Sequence, residues 1–86
     1  MSEILAVFRS RSQAIDCNAR LKTAGVAASL VNTPKEANIG CGLSVKFQLN
    51  MLSRVRIVVK RGNYSAFYGF FRIQNNYGRI IFGRIN

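Results

Sequence analysis

Leu43-Ser44-Val45-Lys46-Phe47 alternates, with Leu43, Val45 and Phe47 on one face and Ser44 and Lys46 on the other. A period of two marks a strand with one buried face. Its neighbours decide the fold. Before it, Val26-Ala27-Ala28-Ser29-Leu30-Val31 reads as another strand that ends at Thr33-Pro34, because proline donates no ladder hydrogen bond. After it, Met51, Leu52, Val55, Val58 and Val59 form an apolar stripe at helical spacing. Asn50 is placed to cap that helix and Gly62-Asn63 to end it. Two strands therefore stand back to back ahead of a helix.

Outward from this centre the pattern closes. Ile4-Leu5-Ala6-Val7-Phe8 is a short apolar run that reads as a buried strand. Ser10 and Gln13 fit a capping box, in which the serine caps the helix and the glutamine reaches back to the serine N–H. Ala14, Cys17, Leu21 and Ala24 give the helix one apolar stripe, and Gly25 is its stop. Cys17 is thereby expected in the core. From Tyr64 the chain turns aromatic and β-prone through Phe67, Tyr68, Phe70, Phe71 and Ile73. Asn75-Asn76-Tyr77-Gly78 is a turn signal, and Ile80-Ile81-Phe82 returns as a last strand. The expected architecture is α+β: a ferredoxin-like βαββαβ sandwich, with one sheet, two helices on one face and a C-terminal hairpin strand.

Eighty-six residues make one expected domain, residues 1–86, and 49% hydrophobic content suits a folded chain. No apolar run is long enough for a membrane helix. The N-terminus, with Glu3 ahead of a short apolar run and Arg9 after it, does not read as a secretion signal. A cytoplasmic protein is expected. Two cysteines and no histidine leave no self-contained Cys/His zinc site, and no metal or cofactor is expected. Without a histidine base, and with only three scattered acids, catalysis by turnover is not expected.

The charge is lopsided. Net charge is +10, and Glu3, Asp16 and Glu36 are the only acids. Beyond Glu36 come Lys46, Arg54, Arg56, Lys60, Arg61, Arg72, Arg79 and Arg84 with no carboxylate among them. Such a balance points to a polyanionic or acidic partner. Nucleic acid, met by Arg54, Arg56, Lys60, Arg61, Arg72, Arg79 and Arg84, is one candidate. The hairpin aromatics read as core or subunit interface in preference to base-stacking platforms, since no RNP-type motif is visible. Pairing of the apolar terminal strand across a homodimer is the interface considered.

The place that looks built for chemistry is Gly40-Cys41-Gly42, after the Pro-containing loop and at the entry to the alternating strand. Flanking glycines remove side-chain shielding and widen the backbone's choices, so a donor can approach the sulfur. The plain alternative is a tight turn holding a small apolar residue. Lys35 and Lys46 are near in sequence and could favour the thiolate. An accessible thiol there could also act as a redox sensor through a sulfenic acid.

The segment from Ile4 to Phe47 resembles a known family, and the resemblance continues into the second helix and the following strand. The resemblance is carried by Phe8-Arg9-Ser10, Ala14, Leu21-Lys22 with Gly25, Thr33-Pro34 and above all Gly40-Cys41-Gly42-Leu43-Ser44-Val45-Lys46-Phe47. The family is the small bacterial selenium/sulfur (Se/S) carrier protein-like group. The resemblance implies a carrier, not an enzyme, whose cysteine holds sulfane sulfur as a persulfide, or selenium. A cysteine desulfurase would supply the cargo, and a sulfur or selenium acceptor protein would take it. Cys41 becomes the carrier thiol, with Gly40 and Gly42 shaping its loop. The Cys-Pro-x-Pro motif of other sulfur-relay carriers is absent. A small basic nucleic-acid-binding module is the alternative function.

Overall fold

β1 (Glu3–Phe8) is the central strand, and Ile4 to Phe8 are all fully buried. A half-solvated antiparallel strand would alternate; an unbroken apolar run means that both faces are covered. The computed structural model describes residues 2–35 and 42–85, with the side chains at 75, 76, 79 and 80 set aside. The remaining elements are α1 (Arg11–Thr23), β2 (Ser29–Asn32), β3 (Leu43–Gln48), a short 3-10 turn (Leu49–Met51), α2 (Leu52–Gly62), β4 (Phe67–Asn76) and β5 (Arg79–Ile85). The strands form one five-stranded sheet in the order β2-β3-β1-β4-β5, antiparallel at every pairing. The inner four strands and both helices make the ferredoxin-like α+β arrangement, and β5 extends it outside β4.

Both helices pack on the same face. Ile4, Ala6 and Phe8 of β1, with Val45 and Phe47 of β3, meet Ala14, Cys17 and Leu21 of α1 and Val55 and Val59 of α2. Each such apolar side chain contributes roughly 1.5–3 kcal/mol on burial. Leu5 and Val7 point to the opposite face and are covered by Phe71, with Tyr68, Val31, Ile73 and Phe82 around them. That second, thinner layer explains the unbroken run of β1. No helix among the described residues is long and apolar enough to cross a membrane.

Local chemistry accounts for the boundaries. Ser10 Oγ accepts from Gln13 N–H at 3.3 Å, as a cap should. The reciprocal half of the box is replaced. Gln13 donates Nε2 to Ser65 Oγ at 2.9 Å and accepts from Ala66 N–H at 2.8 Å. The side chain staples the start of α1 to the lead-in of β4, because that approach offers it better partners than its own cap. Gly25 has φ +83, and the chain turns there as expected. β2 is shorter than the expected strand: Val26 is a buried residue ahead of it, and pairing with β3 begins only at Ser29. Asn50 lies inside the 3-10 turn and does not cap α2, whose entry has no side-chain cap bond. Asn63, at φ 49, ends α2 in the left-handed region. Ser44, expected on a polar face, is fully buried and pairs with Thr33 Oγ1 at 2.7 Å. The final turn is narrower than the four-residue signal. Strand pairing runs through Asn76, and Tyr77 and Gly78 take φ 55 and 78, as a two-residue primed hairpin turn requires.

Candidate functional site

Asn32, Leu43, Phe8 and Phe67 form the last paired row at one end of the sheet. The segment that carries Cys41 joins the fold at this end. Thr33 N–H donates to Gly42 C=O at 3.3 Å, so the two flanks of that segment are tied together. Thr33 and Ser44 add a hydroxyl–hydroxyl bond just inside the row. Gly40 and Cys41 themselves lie outside the described residues, as does the interval after Lys35.

The topology collects cations here. Extending the β1–β3 register by one residue sets Arg9 opposite Gly42. Arg11 opens α1 at the same end, where the helix carries partial positive charge on its unpaired N–H groups. α2 runs back to this end and finishes with Lys60 and Arg61 in its last turn. Lys35 is exposed on the outgoing flank. Lys46 stands about 13 Å along β3 from Gly42, at some 3.3 Å per residue. Its ammonium lies 3.7 Å from Glu3 Oε2. Local sequence nearness nominated Lys35 and Lys46. Arg9, Arg11, Lys60 and Arg61 reach the same end only through strand order, which no local pattern announces.

The described thiol behaves very differently from an activated one. Cys17 is fully buried in α1, and burial pushes its pKa from 9.0 up to about 11. Asp16 adds to the rise, and Arg20 opposes it. Cys17 is a packed, protonated side chain, in keeping with its core assignment. Around it, Tyr64 donates its hydroxyl to Asp16 Oδ2 at 2.7 Å, and Arg20 Nε lies 2.9 Å from the same oxygen. The Tyr64 phenol is raised by burial first and then by that hydrogen bond.

Residues 3–68 match the family model described as putative Se/S carrier protein-like. The chain belongs to this family. The match runs from β1 to Tyr68 and takes in both helices and the entry to β4. It covers the Ile4–Phe47 resemblance and its continuation through the second helix, and ends two residues into β4, the first strand of the C-terminal hairpin. No curated protein matches the chain. Of the arginines and lysines assigned to a nucleic-acid partner, Arg54, Arg56, Lys60 and Arg61 are on α2, on the helix side of the Se/S carrier-like fold. Arg72 donates Nη2 to Ser2 Oγ at 2.8 Å, and the side chain of Arg79 lies outside the described residues. Only Arg84 is shown lying over the aromatic rings of the opposite face, where Arg9 joins it.

Proposed function

We propose that the protein is a sulfur or selenium carrier that holds its cargo on Cys41. The observation that supports this reading is the state of Cys17. A carrier of this family's description requires a thiolate, the chain has two cysteines, and one of them is sealed in the core with its pKa raised. Chemistry at a thiol then falls to Cys41, between Gly40 and Gly42.

The step is redox-neutral. The Cys41 thiolate attacks the outer sulfur of a donor cysteine persulfide, the donor S–S bond breaks, and the donor leaves as a thiolate. The outer sulfur, now bonded to Cys41, passes to an acceptor nucleophile by the same exchange, which returns the Cys41 thiolate. Cations at this end of the sheet favour the thiolate and the persulfide anion. They also attract an acidic docking surface on a desulfurase or acceptor, with Arg11, Lys35, Lys60 and Arg61 as its points of contact. The protein does not complete a reaction alone; its partners supply the driving groups.

Intact-mass measurement after incubation with a cysteine desulfurase and cysteine tests the reading. The expected product gains one sulfur atom in the wild type and in Cys17→Ala, and none in Cys41→Ser. Retention of the gain in Cys41→Ser would overturn it.

A further inference from the structure

The face of the sheet away from the helices carries a second surface, which shares only Arg9 with the cations at the Cys41 end. Tyr68, Phe71 and Phe82 form a row of nearly parallel rings. Tyr68 and Phe71 are 8° apart in plane with centroids at 5.8 Å, and Phe71 and Phe82 are 18° apart at 4.4 Å. Phe71 is buried in the middle, while Tyr68 and Phe82 keep part of their surface open to solvent.

Two guanidinium groups are fixed on this row. Arg9 lies 4.8 Å from the Tyr68 ring centroid. Arg84 lies 5.2 Å from Tyr68 and 5.8 Å from Phe71, and its Nη2 donates to the Tyr68 carbonyl at 2.7 Å. Gly69 makes room for it. A Cβ there would sit 3.0 Å from the Arg84 guanidinium, and its φ of +154 is one that other residues rarely adopt. The register shift between β1 and β4 at Val7/Phe8 is the irregularity that sets Tyr68 into the row.

These cations have no counter-charge among the described residues. Glu3 is paired with Lys46, and Asp16 with Arg20 and Tyr64. The surface thus offers partly exposed rings side by side with guanidinium groups that have no carboxylate partner among the described residues. Phe71, Phe82 and Arg84 also lie beyond the residues that match the carrier family. A ligand that satisfies both features has flat π-faces alternating with anionic groups, which is the chemistry of a single-stranded nucleic acid. A duplex hides its base faces in the stack and offers only its phosphates.

We propose that this open face binds single-stranded nucleic acid, with phosphates at Arg9 and Arg84 and bases stacked against Tyr68 and Phe82. Binding is independent of Cys41.

Fluorescence anisotropy with a short labelled oligonucleotide tests the proposal. The arms are single-stranded RNA, single-stranded DNA of the same sequence, the duplex, and poly-glutamate as an acidic-polypeptide competitor. Single strands are expected to bind at least about ten-fold tighter than duplex, and the RNA and DNA arms tell which backbone is preferred. Arg9→Gln with Arg84→Gln is expected to lower the slope of log affinity against log salt by about 1.4, near 0.7 for each phosphate no longer neutralised. Tyr68→Ala is expected to weaken binding about ten-fold. Cys41→Ser, and the equal charge loss of Arg54→Gln with Arg61→Gln on α2, are expected to leave it unchanged. Circular dichroism confirms that each variant is folded; Arg9→Gln alone, at an exposed position, serves if the double variant is not. Four results would overturn the proposal: no binding at low salt, equal affinity for duplex, equal loss from the α2 variant, or poly-glutamate displacing the strand at equal charge concentration.

Discussion

The two faces of the sheet share the strand β1 and differ in almost everything else. On the helix side, Ile4, Ala6 and Phe8 lie beneath two helices in a thick apolar core. On the open side, Leu5 and Val7 lie beneath one layer of side chains drawn largely from the C-terminal hairpin. The first face is insulated, and even its cysteine is held neutral. The second keeps aromatic edges and guanidinium groups within reach of solvent. A single strand can serve both because its side chains alternate direction, so each face is a separate chemical environment. The family match spans parts of both faces. It takes in both helices, the Cys41 segment and the open-face residues Arg9 and Tyr68, and ends ahead of Phe71, Phe82 and Arg84.

The contrast is broken most directly by truncating one ring on each side. Phe8→Ala on the helix face removes a fully buried ring packed against Tyr64 and Phe67, and is expected to cost about 3–5 kcal/mol. Phe82→Ala on the open face removes a half-buried ring, and about 1–2 kcal/mol is expected from the smaller area uncovered. Urea unfolding of the pair measures the difference; equal losses would show the open layer to be as much a core as the other.

Cys17 sharpens the same point through pH. Its pKa is higher in the folded protein than the ordinary 9.0, so the unfolded chain gives up the thiol proton first. The contribution is therefore fully present below about pH 9 and declines as pH rises toward 11, by about 2–3 kcal/mol in all. Stability curves of wild type and Cys17→Ala should converge across that window.

The smallest effect concerns the junction between helix and hairpin. Gln13→Ala removes the hydrogen bonds to Ser65 and Ala66, and is expected to cost about 1–2 kcal/mol. Hydrogen exchange should rise at Ala66 N–H while the centre of β1 remains protected.

Much of the fold is legible along the chain. The alternation of Leu43 to Phe47, the apolar run of β1 and the stripes of both helices are enough for the fold class. Spacing along one chain is a local property, and it dictates which element forms and which side of a helix is apolar. It places Cys17 in the core for the same reason. Local pattern fails where partners come from afar. Gln13 abandons its capping box for Ser65 and Ala66, Asn50 enters a 3-10 turn, and Ser44 is buried by pairing with Thr33.

The sequence by itself determined the order of elements and the basic excess, and it nominated Gly40-Cys41-Gly42 as the segment on which the proposed carrier chemistry rests. The tertiary structure alone decided which charges share a neighbourhood. Strand order brings Arg9, Arg11, Lys60 and Arg61 to the end where the Cys41 segment joins, and the β4–β5 hairpin lays Arg84 over Tyr68. The physical reason is that charges and rings interact through space, and neighbours in a sheet need not be neighbours along the chain.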